Sequence, residues 1–465
     1  MTIIQETMQT DPFTLSLPDH PRQRLATGWL LLALCSLVGA GLVVILIVLA
    51  RTPVIHTLIP WTGSFRTALV IHVDLSVLVW FLSFAGLLAS LTLADRLARL
   101  GQVALAIAML GTAILTLSPF LGEDAPFMNN YVPVLNNPAF FLGLGLFVGG
   151  FSLLALLALL GRRPACHAGE QGLRFGLLTA LLIFFLSLAS LLGSWQALGS
   201  GTPHDERYFE LLFWGGGHLL QFTHVQLQML AWLWVAAAAG LRQVLTPRMA
   251  IPLFTLGALP ALWGPVIQLL HPVESGDHRL AFTELMIYGG GLASVPLGIL
   301  LAGSWWRSPP TADTSQQTLR LALLTSLVLF VCGGVIGFMI RGVNVTIPSH
   351  YHGSIVSITL IYMGLCYHLL PGLGFRHPSP LWCNRQLSLY AIGSLLHIIG
   401  LAWSGGHDVQ RKTAGAAQGL ATLADKIPMW LMGAGGMIAV AGGVLFLVLA
   451  FRSLRQGRQE RLATT

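Results

Sequence analysis

Apolar runs about twenty residues long recur along the chain, separated by short stretches of Pro, Gly, Asn and charged residues. A hydrocarbon layer about 30 Å thick is crossed by roughly 20 apolar helical residues, so each run is long enough to span a membrane. Twelve spans are expected, over 26–50, 67–93, 102–120, 138–161, 173–197, 210–240, 250–271, 281–303, 318–340, 350–371, 386–405 and 428–451. The expected fold class is all-α, a polytopic membrane protein with a tail over 1–25, one twelve-helix domain over 26–452 and a tail over 453–465. Asp11, Asp19 and prolines precede the first apolar run, which is not the layout of a cleaved signal peptide. The first span is therefore expected to stay in place as an anchor.

Composition supports lipid as the main solvent: 55% of the 465 residues are hydrophobic and 9% are charged, against about a quarter charged in a soluble domain. The net charge of +7 is almost all arginine, since Lys412 and Lys426 are the only lysines. With a cytoplasmic N-terminus, 17 basic residues fall inside and 8 outside, which sets both termini in the cytoplasm. The arginines thus report topology and contact with anionic lipid, and no nucleic-acid partner is expected. Cys35, Cys166, Cys332, Cys366 and Cys383 form neither CxxC nor CxxCH, which argues against a disulfide framework or a covalently attached haem.

Histidines change the picture. His72 near the start of span 2, His218 in span 6, His271 at the end of span 7, and His350 and His352 at the start of span 10 all fall in the outer part of the membrane. Ionisable groups in hydrocarbon are costly and mark function, and imidazole at this density suggests metal. Residues two apart on a helix point about 200° from one another, so His350 and His352 serve two metals rather than one. His72 is at the right depth to be the second axial ligand of a six-coordinate haem, while the other haem keeps an open position. His218 and His271 are placed to hold a further metal opposite that position.

The run Asn344-Val345-Thr346-Ile347-Pro348-Ser349-His350-Tyr351-His352, ending in Tyr367-His368-Leu369-Leu370-Pro371, resembles helix 10 of the catalytic subunit I of the haem-copper oxidase and nitric oxide reductase superfamily. Phe213-Trp214-Gly215-Gly216-Gly217-His218 resembles its helix 6, Asp277 to Thr283 its loop into helix 8, and His72 with Asp74 its helix 2 site. The resemblance implies a low-spin haem on His72 and His352, a high-spin haem on His350, and copper or iron on His218 and His271. It also implies haem propionates on Arg411 and Lys412, with Arg341 a second candidate. Haems of b type are favoured.

Two departures bear on the reaction. The superfamily usually supplies two adjacent histidines from helix 7, but here the chain reads Leu270-His271, so the third ligand is left among Gln221, Glu274, Asp277 and His278. A carboxylate there would favour iron over copper. Phe222 stands where oxygen-reducing relatives carry a tyrosine four residues after the helix 6 histidine. Reduction of NO to N₂O breaks no O–O bond and needs no such tyrosine, which makes it the leading expectation. An O₂-reducing cytochrome c oxidase subunit I is the alternative, and a haem protein that only transfers electrons or senses gas is a further one.

Leu220 replaces the helix 6 glutamate and span 8 carries no lysine, so protons are expected to enter from outside through Glu274, Asp277 and Glu284, beside Tyr288. His224, with Gln226 and Gln228, is expected to bond between helices, with a buried polar relay as the alternative, and His368 and His397 are expected to be structural. A twelve-helix transporter would show internal pseudo-symmetry and midplane charges, neither of which is present. The expected setting is the bacterial inner membrane, with the metal site toward the periplasm. An electron-donating partner, a membrane cytochrome c or a cupredoxin-type subunit, would dock on the outer face.

Overall fold

The computed structural model describes residues 13–17, 22–58, 64–122, 125–199 and 201–464, with side chains through 456. Of the expected tails, 1–12, 18–21 and 465 lie outside the described residues, and so do the side chains of 457–464.

Among the described residues, eleven helices are long and apolar enough to cross a membrane: α1 (Arg22–Arg51), α2 (Phe65–Thr92), α3 (Asp95–Phe120), α4 (Pro138–Leu160), α5 (Ala168–Leu198), α7 (Pro247–Leu270), α8 (Gly276–Arg307), α9 (Thr314–Phe338), α10 (Thr346–Gly372), α11 (Pro380–Gly405) and α12 (Leu423–Gln456). The remaining long helix, α6 (Glu206–Ala238), has 33 residues. His218, Gln221, His224, Gln226 and Gln228 dilute its apolar character, so eleven of the twelve expected spans correspond to apolar helices of membrane length.

Neighbours in sequence pack as antiparallel hairpins, with α3 on α4, α5 on α6, α9 on α10 and α11 on α12 in the most extensive contact. α2 and α10 form the middle of the bundle: 72% and 78% of their apolar windows are buried, against 33% for α1, α7, α9 and α12. Lipid as solvent explains the difference, because outer helices can leave an apolar face uncovered.

Three helices are interrupted. α2 contains a π-helical turn over Asp74–Val79, directly after His72, and such turns often occur at functional positions. α7 carries Pro252 inside it and a tight turn over Leu259–Leu262 that includes Pro260, each proline removing a backbone donor. α8 pauses after Gly289 and resumes at Ser294. Between α3 and α4, β1 (Pro126–Phe127) and β2 (Val134–Leu135) form a small antiparallel hairpin.

Helix alternation places His72, His218, His350, His352 and the hairpin at one end, called here the histidine end. The opposite end is closed by charge. Glu170 is fully buried and accepts from Arg174 at 2.7 Å, Arg163 at 3.0 Å, the Cys166 amide at 2.8 Å and the Ser16 hydroxyl at 2.8 Å. It thereby pins the segment carrying buried Phe13 and Leu15. Asp95 pairs with Arg22 but is 68% exposed, a solvated charge at this end.

Glu170→Ala would strand two guanidinium groups and is expected to cost on the order of 3 kcal/mol, since breaking a buried pair exposes the cost of its partner. Asp95→Ala is expected to cost under about 1 kcal/mol. Thermal unfolding in detergent checks both, and equal midpoints for the two variants would contradict this account of the closure.

Candidate functional site

The start of α10 is fixed from outside the helix. Asn344 Oδ1 accepts from the Thr346 amide at 3.0 Å, Asn344 Nδ2 reaches Gly405 O at 3.2 Å, and Ser349 Oγ donates to Ile398 O at 2.8 Å. The two histidines that follow turn to different neighbours. His350 Nδ1 lies 2.7 Å from Gly333 O on α9, whereas the His352 ring lies 5.0 Å from the His397 ring on α11. Glycine makes the first contact possible, because a Cβ on Gly333 would sit 2.6 Å from the Ser354 amide nitrogen.

Four imidazoles at this end follow one rule. His72 Nδ1 meets Ala40 O at 3.2 Å, His350 Nδ1 meets Gly333 O, His352 Nδ1 meets Pro348 O at 2.7 Å and His397 Nδ1 meets Met432 O at 2.9 Å. A carbonyl only accepts, so Nδ1 carries the proton and Nε2 keeps its lone pair. None of the four Nε2 atoms has a hydrogen-bond partner among the described residues. That is the arrangement of a metal-ligating histidine, with one nitrogen oriented by a carbonyl and the other free. His72, His352 and His397 lie close enough to interact electrostatically.

His397, expected from sequence to be structural, shares this Nδ1–carbonyl geometry and stands beside His352. It lies eight residues from the end of α11, level with His352, and counting depth on that helix would have found it.

His218 is built differently. Its Nδ1 lies 2.7 Å from Trp214 O, but its Nε2 is met by the Tyr131 hydroxyl at 2.8 Å. Tyr131 stands at the tip of the β1–β2 hairpin, where Asn129 Oδ1 accepts from the amides of Tyr131 at 3.0 Å and Val132 at 2.8 Å. Glu210 on α6 accepts from the Asn130 amide at 2.9 Å, and Lys412 Nζ donates to Met128 O and Asn129 O. The Tyr131 ring occupies the space that a Cβ on Gly217 would need. Sequence reasoning missed Tyr131 because a loop residue has no helical depth to count.

The expected partners of His218 are distributed unevenly. His278 is buried, and both its ring and that of His218 face Phe282, at 5.0 and 5.7 Å. His271, just past the end of α7, is half-buried and interacts electrostatically with His278. Gln221 is half-buried and, among the described residues, hydrogen-bonds to no side chain of the site, and Glu274 and Asp277 are exposed. Glu284 is exposed and Tyr288 is 77% exposed, so the expected outer proton route does not converge on His218; α8 stands at the edge of the bundle and turns these residues outward. Phe222 is buried among Leu219, Ala261, Ile267 and Phe282. Among the described residues no three His, Cys, Asp or Glu side chains gather as a metal set.

Cationic groups cap the histidine end. Lys412 is committed to the hairpin carbonyls, and burial together with Arg411 lowers its pKa to about 8. Arg341 is exposed. Arg51, counted from sequence only as an outside charge, is 8% exposed and, among the described residues, has only neutral acceptors, Gln418 Oε1 and Gln410 O, both at 3.4 Å. It interacts electrostatically with Tyr351, His352 and His397, so it is better placed than Arg341 to meet an anionic group beside those imidazoles.

A solved haem-copper terminal oxidase dimer superposes on 95% of this chain and 84% of its own, with a TM-score of 0.67 and 16% sequence identity. The fold is that of a haem-copper oxidase. No family model matches the chain. It is 28% identical over 495 aligned positions to an uncharacterized protein of Rickettsia prowazekii, covering 92% of this chain and 96% of that one. It is also 28% identical over 352 positions to an uncharacterized protein of Aquifex aeolicus, covering 75% and 85%. Cytochrome c oxidase subunit 1 of Thermus thermophilus is 25% identical over 449 positions, covering 86% and 78%.

The expected haem ligands and the expected ligands of a further metal fare differently here. His72, His350 and His352, with oriented rings and free Nε2 atoms, fit haem ligation. His218 and His271 do not fit a three-ligand metal site, since Tyr131 takes one Nε2 and no third ligand joins them.

Gly217→Ala is expected to push the hairpin tip off α6 and open the Tyr131 region to limited proteolysis. Unchanged protease resistance would contradict the packing of Tyr131 against Gly217.

Proposed function

We propose that the chain is the haem-carrying subunit of a respiratory membrane oxidoreductase, in which His72 and His352 hold one haem, His350 holds a second, and a small gas is reduced on the His350 side. The observation that carries this reading is the start of α10, where two imidazoles two residues apart face different neighbours, each with Nδ1 on a carbonyl and Nε2 free. Bound haem would supply one-electron chemistry, and the gas would be reduced on the side held by His350. His72 and His352 would together hold the other haem, which would serve to relay electrons. Arg51 and Arg411 are placed to receive anionic haem carboxylates at the histidine end. The b-type assignment, the inner-membrane setting and an electron-donating cytochrome c or cupredoxin-type partner on the outer face belong to this reading.

NO is the substrate we favour. Two NO molecules, two electrons and two protons give one N₂O and one water, with no O–O bond to break. That demands neither a tyrosine at Phe222 nor a complete third ligand beside His218 and His271, and no step is assigned to a second metal. O₂ is the second reading, supported by the Tyr131 hydroxyl on His218 Nε2, since a phenol reaches this region from the hairpin instead of from α6.

Metal content of the purified complex, with NO and O₂ consumption on the same sample, tests the reading. Two irons per chain with faster NO than O₂ consumption is the expected result. Two irons plus one copper with fast O₂ consumption would reverse the preference, and intact haems with neither rate would leave an electron-carrying or gas-sensing protein.

Substitution tests the ligand assignment. His72→Ala and His352→Ala are each expected to abolish the low-spin haem spectrum, while His350→Ala and His397→Ala preserve it. Loss of that spectrum in His397→Ala, with retention in His352→Ala, would move the ligand to α11.

A further inference from the structure

At the end opposite the histidines, the loop between α4 and α5 and the first three turns of α5 line a cavity of about 430 Å³. Its polar lining includes Arg162, Arg163, Gln171 and Arg174, and its apolar lining includes Phe175 and Leu178. Gln171, Arg174, Phe175 and Leu178 recur at helical spacing and share one face of α5, with Leu178 about 10 Å further along the axis than Gln171. One turn beyond, the same face continues with Leu182, 48% exposed, and Leu160 at the end of α4 is 76% exposed. The cavity is therefore cationic at the helix end and apolar where it runs toward the hydrocarbon.

Three guanidinium groups face one carboxylate here. Glu170 cancels one positive charge, through Arg163 and Arg174, and three less one leaves an excess of two. Arg162 is exposed and has no carboxylate partner among the described residues. Arginines at a membrane surface are usually mobile, but these are held: Arg163 Nε donates to Leu91 O at 3.3 Å, and Arg174 Nη1 donates to Arg163 O. Arg174 is 7% exposed, and its buried Nε–H meets no acceptor among the described residues. A buried donor left open is costly, which calls for an anionic acceptor in the cavity, and guanidinium suits phosphate oxygens best.

We propose that this cavity binds an anionic phospholipid, its phosphate received by Arg162 and Arg174 and one acyl chain lying along Phe175, Leu178 and Leu182. Basic pockets beside membrane helices take such headgroups, whereas a zwitterionic headgroup would add a cation where two are already in excess. Free phosphate shares the headgroup chemistry; the apolar half of the cavity decides for the lipid. The site is independent of the haem reading and of gas reduction.

Native mass spectrometry of the full chain in neutral detergent, titrated with phosphatidylglycerol or phosphatidylcholine, tests the site. Each uncompensated arginine is worth about fivefold for a singly charged headgroup, so phosphatidylglycerol is expected to bind about 25-fold more tightly. Arg162→Gln is expected to reduce that preference to about fivefold, and Arg162→Glu to remove it. Because Arg162 is exposed, both variants are expected to keep the parent's thermal midpoint. Arg307→Glu, an exposed arginine at the same end but outside the cavity, is expected to leave the preference unchanged. Equal binding of the two lipids, an unchanged preference in Arg162→Glu, or an equal loss in Arg307→Glu would each overturn the site. Displacement of phosphatidylglycerol by millimolar inorganic phosphate would overturn the lipid assignment in favour of a soluble anion.

Discussion

The histidine end depends on the hydrogen bond from an imidazole N–H to a backbone carbonyl. Within a membrane most carbonyls are already used once by their own helix, but each has a second lone pair. His352 and His218 use the carbonyl four residues back on their own helices, at Pro348 and Trp214. His72, His350 and His397 reach across to α1, α9 and α12. The second solution needs helices that nearly touch. Gly333 meets Gly353 where α9 crosses α10, and a Cβ on Gly435 would fall on the His397 backbone where α12 meets α11. The small residues at these crossings therefore help set imidazole orientation as well as helix packing.

Much of this could be read from the chain before any coordinates. Apolar run length sets the helices, and helix alternation with depth counting brings His72, His350 and His352 to one level. Spacing two residues apart on α10 separates the last two onto different neighbours, as the structure shows. α6 was legible as a long helix, although its histidines and glutamines keep it below the apolarity of the other eleven.

What was not legible depends on contacts between elements distant in sequence. Tyr131 reaches His218 across 87 positions, through a hairpin held by Glu210 and Lys412 from two other parts of the chain. Arg51 reads as an ordinary interfacial cation until the fold surrounds it with Gln410, Gln418 and the imidazoles. The outward facing of the acids near α8 was not legible, because sequence gives depth along a helix but not which face meets the bundle. His224 is the converse case: its depth was clear, but only the packed neighbours reveal that no helix answers its two nitrogens.

The π-helical turn over Asp74–Val79 separates two demands that one regular helix could not meet together. Each residue of an α-helix advances about 100° around the axis, so one extra residue in a turn rotates everything beyond it by that amount. His72 can therefore point toward Ala40 while Trp80, Phe81 and Phe84 keep their own heading into the middle of the bundle. Ligand direction and core packing on α2 are phased independently, and a one-residue deletion in this turn would turn the histidine away from its neighbours while leaving the helix below it intact.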